Sequence, residues 1–319
     1  MPRGRYWAVL PLVACCFLPA AWAAESPLSA SVQASHTEAT LLGLHFYSAR
    51  SGWAVGSGGT ILKTSDGGKR WKKIPSGTSA LLTNVLFLDD KKGIVIGGDG
   101  MIRASRDSGD TWTALESGTQ AHLYGVFFTS PMEGWIVGGN GTILHTSDGG
   151  VQWAEQTSHT NSALYAVQFV SPKRGVAVGA VGSIVTTDDG GLTWTAQEPQ
   201  GAVTFFDVYF SEPSTGWAVG NAGALFQTTD GGKHWIDRTL PCSITCTKLT
   251  DLLRVRFTDP QSGWIVGERG MVYRTKDSGF TWQEQGSIAK VSLFGLSFPE
   301  PGQAWASGEK GTIVHLKVK

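Results

Sequence analysis

A unit of 41 residues recurs along the chain, and this period constrains the fold more than any other feature. Blocks that align without gaps, such as the one opening Gly52-Trp53-Ala54-Val55-Gly56, follow in steps of 41, 41, 41, 41, 47 and 41 residues. They begin at Gly52, Gly93, Gly134, Gly175, Gly216, Gly263 and Ala304. Helical repeats would need an apolar residue every three or four positions. That pattern is absent, so we expect short β-strands.

Each unit predicts four strands. The first is typified by residues 164–169 and the second by residues 175–179, both rich in branched, aromatic or small residues. A two-residue link such as Glu268-Arg269 is expected before the third strand, because Gly, Asn and Asp recur there and tolerate positive φ angles. The fourth strand is expected to carry the tryptophan of the unit, as at Trp194.

The two chain ends complement each other. The seventh unit stops at Lys319, soon after the third-strand segment around Ile313, so its fourth strand is missing. Residues 29–34 near the N-terminus occupy the spacing of a fourth strand. Sheets arranged radially bury each apolar face against the next sheet. The sequence therefore predicts an all-β, seven-bladed β-propeller with four antiparallel strands per blade, closed by an N-terminal strand. A linear solenoid is the alternative.

The N-terminus has the pattern of an export signal. Arg3 and Arg5 precede an apolar stretch that ends in Ala21-Trp22-Ala23, which predicts a signal peptide at 1–23 and one propeller domain at 24–319. The expected location is the periplasm, with no transmembrane span. Leu12-Val13-Ala14-Cys15 also resembles a lipobox, so a lipoprotein anchored at Cys15 is the alternative.

Two cysteines lie in the one longer step of the repeat. Cys242 and Cys246 are four apart in a chain expected to be exported, which favours a local disulfide that pins a loop. Metal binding is the weaker interpretation, since a closed zinc site needs four ligands. We expect no metal and no cofactor.

The balance of charges excludes one class of partner. Lys and Arg number 26, Asp and Glu also 26, and no basic stripe is visible, which argues against nucleic acid as a partner.

Three isolated histidines are expected to pack within strands: His45, His145 and His315. A tryptophan series is expected in the core, and would form a sugar platform only if exposed together: Trp53, Trp135, Trp217, Trp264 and Trp305.

A turn motif, Ser/Thr-x-Asp-x-Gly-x-x-Trp, occurs six times between third and fourth strands. Its aspartates are Asp66, Asp107, Asp148, Asp189, Asp230 and Asp277. An aspartate in such a turn accepts hydrogen bonds from nearby backbone N–H groups. One turn per blade also keeps the carboxylates too far apart for paired acid–base catalysis, so we expect a structural role.

These motifs resemble those of Asp-box propellers, a group that includes sialidases. The fuller pattern, Gly-Trp-Ala-Val-Gly followed by Gly-Thr-Ile-Leu-x-Thr-Ser-Asp-Gly-Gly-x-x-Trp, resembles the photosystem II stability and assembly factor family from about Ser29 to Lys319. The resemblance implies a non-catalytic, chaperone-like scaffold for a membrane-protein client, in the periplasm or thylakoid lumen. We expect a monomer. A glycan-acting propeller, sialidase-like or lectin, is the alternative, although no Phe/Tyr-Arg-Ile-Pro segment is present.

Departures from the internal repeat suggest where a partner binds. Small residues are the rule at one position of the innermost strand, and the exceptions are Asn84, Asp207 and Arg254. The sixth unit adds further arginines, so that a basic sector is predicted from Arg254, Arg256, Arg269 and Arg274. One hypothesis is that this sector, beside Asp207, grips an acidic or carboxylate-bearing client segment. The other is that Arg254 pairs with Asp207 and supports packing between blades.

Overall fold

Seven four-stranded antiparallel sheets surround a central channel in the computed structural model, which describes residues 28–240 and 250–317. Each innermost strand packs against that of the next blade, and blade seven packs against blade one, so the ring closes. Within the described ranges, no helix is long and apolar enough to cross a membrane. The predicted signal peptide, Cys15, and the cysteines Cys242 and Cys246 lie outside the described residues.

Blades one to six each use four consecutive strands. From the centre outwards, blades one to three contain Leu41–Phe46, Gly52–Gly56, Thr60–Thr64 and Lys72–Ile74; Leu82–Phe87, Gly93–Gly97, Ile102–Ser105 and Thr113–Leu115; Leu123–Phe128, Gly134–Gly138, Ile143–Thr146 and Ala154–Gln156. Blades four to six contain Leu164–Phe169, Gly175–Gly179, Ile184–Thr187 and Thr195–Ala196; Phe205–Phe210, Gly216–Gly220, Leu225–Thr228 and Ile236–Asp237; Leu252–Phe257, Gly263–Gly267, Met271–Thr275 and Gln283–Ser287.

Blade seven combines both ends of the described chain. Its strands are Leu293–Glu300, Gln303–Gly308, Ile313–Lys317 and Ser29–Gln33. The last two pair antiparallel, with Gln33 opposite Ile313 and Val32 opposite Val314. The predicted closure by an N-terminal strand is confirmed, and the open solenoid is wrong.

The links between second and third strands are three or four residues long, so the predicted two-residue link is wrong. Five of them contain a single 3-10 turn: Ser57–Gly59, Gly139–Gly141, Ala180–Gly182, Asn221–Gly223 and Glu268–Gly270. The middle and last residues both have positive φ, as at Gly58 (63°) and Gly59 (66°). The last position is glycine because a Cβ at Gly59 would overlap the Thr78 carbonyl oxygen.

The tryptophan of each aspartate turn precedes the fourth strand instead of lying within it. Trp194 comes directly before Thr195–Ala196 and is buried. Its ring packs edge-on against Phe169, with centroids 5.8 Å apart, and its indole N–H donates to Gln156. The prediction that the fourth strand carries the tryptophan is wrong, because this ring turns inward beneath its own blade.

The hydrophobic core lies between neighbouring blades. Trp53 of blade one stacks on Phe87 of blade two at a centroid distance of 3.4 Å, and Trp112 packs edge-on against Phe87. Burying an aromatic side chain of this kind contributes about 1.5–3 kcal/mol. The five second-strand tryptophans predicted to be core are 0–2% exposed, which confirms their packing role and leaves no exposed sugar platform among them.

Candidate functional site

The channel has two different ends. In blade one, the inner strand ends at Phe46, which pairs with Gly52 of the second strand. Gly52 also pairs with Thr64 of the third strand, the first residue of an aspartate turn, so the aspartate turns lie at this end of the channel. The other end, at Leu41, lies opposite Gly56, where a three-residue link begins. We call these ends the turn face and the link face.

Each aspartate turn is closed by its own hydrogen bonds. The Thr111 amide and hydroxyl donate to the two carboxylate oxygens of Asp107 at 2.9 and 2.6 Å, and the Ser105 hydroxyl donates at 2.8 Å. The hydrogen bonds from the Thr111 side chain and then its amide lower the pKa of Asp107 to about 2. The other five aspartates also accept backbone and hydroxyl donors within their turns: Asp66, Asp148, Asp189, Asp230 and Asp277. These are the hydrogen bonds expected of aspartates with a structural role.

The three isolated histidines are packed, as predicted. His145 tilts over Trp135 and lies 2.8 Å from Glu133, while His315 stacks on Trp305 at a centroid distance of 4.3 Å. Burial lowers the pKa of His45 to about 4, so this side chain is neutral at pH 7. Within residues 28–240 and 250–317, no group of three His, Cys, Asp or Glu side chains could hold a metal ion.

A cavity of about 370 Å³ opens at the turn face, and we call it the turn-face mouth. One residue of each inner strand forms its outer layer: His45, Leu86, Phe127, Gln168, Tyr209, Arg256 and Ser297. Because His45 is neutral, Arg256 carries the one charge in this layer at neutral pH. Asn84 also lines the cavity, and its amide donates to the Tyr124 carbonyl at 3.3 Å.

Asp207 is the centre of an ionic cluster one layer deeper. Its carboxylate is 3% exposed and accepts from Arg256 Nη1 at 2.5 Å, Arg254 Nη1 at 3.4 Å and the Val255 amide at 3.0 Å. Arg254 also donates to the Phe294 carbonyl at 2.7 Å, so it connects blades five, six and seven. Burial lowers the pKa of Arg254 and the Asp207 charge opposes this, but a guanidinium stays protonated at neutral pH.

The predicted basic sector is divided by the fold. Arg254 and Arg256 meet at Asp207, whereas Arg269 lies in the link Glu268–Gly270, at the opposite end of the channel. Arg274 lies two strands out from Arg256 and its guanidinium stacks over Trp264, 4.7 Å from the ring centroid. The expectation of one continuous sector is wrong, because the two ends of a hairpin point to opposite faces of the propeller.

Sequence reasoning missed the lining of the other mouth. Every inner strand has a β-bulge at its second residue; in blade four, Leu164 pairs with Gly179 and Ala166 with Val178, so Tyr165 has no partner. These bulge residues line a cavity of about 470 Å³, the link-face mouth. Six of them are apolar or aromatic: Leu42, Tyr124, Tyr165, Phe206, Leu253 and Phe294. Comparing this one position across the repeats could have revealed the pattern.

Comparisons with known proteins agree with the repeat analysis. The model of the family described as photosynthesis system II assembly factor YCF48 matches residues 4–105, 104–163 and 198–284, more than half of the chain. A sequence search of curated proteins finds no match.

Solved structures share the fold at low sequence identity. YCF48 bound to a D1 peptide has a TM-score of 0.75 and 19% identity, covering 93% of this chain and 97% of that one. YCF48 from Cyanidioschyzon merolae has a TM-score of 0.73 and 21% identity, covering 90% and 98%. A streptogramin B lyase has a TM-score of 0.78 and 15% identity, covering 92% and 98%. The seven-bladed architecture and the match of the family model place the chain in the photosynthesis system II assembly factor YCF48 family.

Proposed function

We propose that the protein is a non-catalytic scaffold that holds an acidic or carboxylate-bearing segment of a membrane-protein client in the turn-face mouth. The observation that carries this proposal is the surplus charge beside Asp207, where one buried carboxylate faces the guanidinium groups of Arg254 and Arg256. The cluster therefore keeps one net positive charge. Arg256 presents this charge to the cavity, since its side chain is 30% exposed and that of Arg254 only 16%.

Arg256 is oriented before a client arrives. Within the described residues its hydrogen bonds all use Nη1, which donates to Asp207 and to the Val255 carbonyl. The guanidinium lies 5.5 Å from the ring centroid of Tyr209. Nε and Nη2 thus remain for a carboxylate, which can accept two parallel hydrogen bonds from such an edge. A side chain held in its binding conformation loses less conformational entropy on binding.

Family membership supports a protein client. The solved structure of YCF48 bound to a D1 peptide is a precedent, on the same fold, for a propeller of this family that binds a peptide. By analogy, the client of this chain is a membrane protein that offers a segment to the propeller. The scaffold itself is proposed to act as a monomer.

No observation favours the glycan-acting alternative. The second-strand tryptophans are buried, and the six turn aspartates are occupied within their own turns, one per blade. The fold by itself does not decide against catalysis, because a streptogramin B lyase shares it. A screen of glycosides and of lyase substrates therefore accompanies the binding test, and turnover abolished by one Asp or Glu substitution would contradict a non-catalytic role.

The proposal includes export of the protein, and this part rests on the N-terminal sequence alone. Cleavage after Ala23 would release the domain 24–319 into the periplasm, or into the thylakoid lumen of a photosynthetic cell. In that oxidising compartment Cys242 and Cys246 would form a disulfide. N-terminal sequencing of the mature protein distinguishes this cleavage from lipidation at Cys15.

Equilibrium binding tests the proposal. A labelled peptide with acidic residues and a free C-terminal carboxylate is titrated with wild type, Arg256→Gln and Arg269→Gln. A hydrogen bond to a charged group contributes about 1.5–3 kcal/mol, so Arg256→Gln is expected to weaken binding roughly 10- to 100-fold. Arg269→Gln is the matched control at the opposite face and should bind like wild type. Equal affinity of a folded Arg256→Gln variant would contradict the proposal.

A further inference from the structure

The link-face mouth carries an arc of aromatic rings on one side. Tyr124 and Tyr165 have centroids 5.0 Å apart, and Tyr165 and Phe206 have centroids 6.1 Å apart, so the rings follow one another across blades three, four and five. Bulges redirect side chains, and here they turn these rings into the channel opening. The arc offers aromatic faces, which attract cations.

Carboxylates line the opposite side of the same mouth. Asp251, Glu268 and Glu309 belong to blades six and seven and border the cavity. The residues equivalent to the two glutamates in the other links are uncharged: Ser57, Gly98, Gly139, Ala180 and Asn221. The acidic side is therefore a specialisation of two blades and not a feature of the repeat.

Neighbouring cations leave this acidic character in place. Among the described residues, Asp251, Glu268 and Glu309 form no salt bridge. Arg269 and Lys310 follow the two glutamates in their links, but both are exposed and neither borders the cavity. Arg254 does border it, with its guanidinium already bonded to Asp207 and to the Phe294 carbonyl.

We propose that the link-face mouth binds a cationic segment of a partner protein, accepting a lysine or arginine side chain that is flanked by apolar residues. The aromatic arc would hold the charged group by cation–π attraction while the glutamates pair with it. Leu42, Leu253 and Phe294 would contact the apolar stem and its neighbours. This site lies at the other end of the channel from Arg256 and prefers the opposite charge, so it stands apart from the acidic-client site.

A capped peptide with one arginine between two leucines tests this proposal by fluorescence anisotropy. The Glu268→Gln/Glu309→Gln double variant and Phe206→Ala are each expected to weaken binding at least tenfold. Gln at position 268 keeps the acceptor that bonds the Asp251 amide, so the fold is expected to survive. The matched control is Glu116→Gln/Glu198→Gln, two exposed glutamates that follow outer strands and border neither mouth, which should bind like wild type.

Further arms separate this site from the alternatives. A peptide with citrulline in place of arginine should bind at least tenfold more weakly. The proposal is overturned if the citrulline peptide binds equally well, if the double glutamate variant keeps full affinity, or if wild type does not bind the peptide. Binding of phosphatidylcholine vesicles without any binding of the peptide would contradict it too.

Discussion

Asp207 of blade five accepts a hydrogen bond from Arg256 of blade six at 2.5 Å, and the Asp207 carboxylate is almost completely buried. Asp207→Asn removes the charge that two arginines share, and breaking a buried pair in this way costs about 3–5 kcal/mol. Urea unfolding is expected to show this loss. Asp110→Asn is the control, since that carboxylate is 61% exposed beside Lys63 and should cost less than about 1 kcal/mol. If Asp207→Asn lowered the free energy of unfolding as little as Asp110→Asn does, the Asp207 cluster would not stabilise the fold.

Val181 occupies a backbone conformation that a β-branched residue rarely adopts. It is the middle residue of the blade-four link, with φ of 55°, and its side chain is 61% exposed. Val181→Gly is expected to raise the free energy of unfolding by about 1 kcal/mol through relief of strain. The mirror experiment is Gly58→Val, where φ is 63° and a Cβ meets no neighbouring atom, so it should destabilise through the backbone alone. A destabilised Val181→Gly variant, a stabilised Gly58→Val variant, or no effect in either would refute the strain.

Acid should weaken the aspartate turns. Hydrogen bonds from the Thr193 side chain and then its amide lower the pKa of Asp189 to about 2, and Asp107 is equivalent. A folded-state pKa below the unfolded value of 3.8 stabilises the protein above pH 3.8, and this contribution is lost as the pH falls towards 2. The free energy of unfolding should therefore drop more steeply over that range in wild type than in Asp107→Asn, followed by urea titration at each pH. Parallel curves would contradict the assignment.

The N-terminal strand should be needed for closure. Deleting residues 29–33 leaves Ile313–Lys317 as an unpaired edge, which invites pairing with another chain. Calorimetry should show a lower unfolding temperature, and size-exclusion chromatography should show self-association. Val32→Thr, at a 67% exposed side chain, keeps the backbone ladder and is expected to behave like wild type. A deletion variant as stable and monomeric as wild type would contradict this.

The ring could be predicted because its information is local and repeated. Each repeat contains the sequence signals for its own strands and turns, and the missing strand after Ile313 matches the spare segment before Leu41. The links of three or four residues were harder to predict. Their length depends on a second positive-φ residue, such as Gly59, whose contact with the Thr78 carbonyl is set by tertiary packing.

The candidate sites were predicted only in part for a related reason. The sequence identified Asp207 and Arg254, because charged residues stand out at a position where small ones are the rule, and it identified Arg256 as a further arginine of the sixth unit. The prediction that Arg269 lies beside them was wrong, because residues close in sequence on one hairpin can lie at opposite faces of the propeller. The bulge at Tyr165 was also hidden, because simple alternation along a strand assigns this residue to the wrong side.

Photo-crosslinking tests the central claim most directly. An acidic peptide with a free C-terminus and a photoreactive residue next to it is irradiated with the protein, and the labelled residues are identified by mass spectrometry. Our account predicts labelling on the inner strands at the turn face, around Gln168, Tyr209 and Ser297, and its loss in Arg256→Gln. Labelling confined to the link face or the outer strands, or unchanged in that variant, would contradict it.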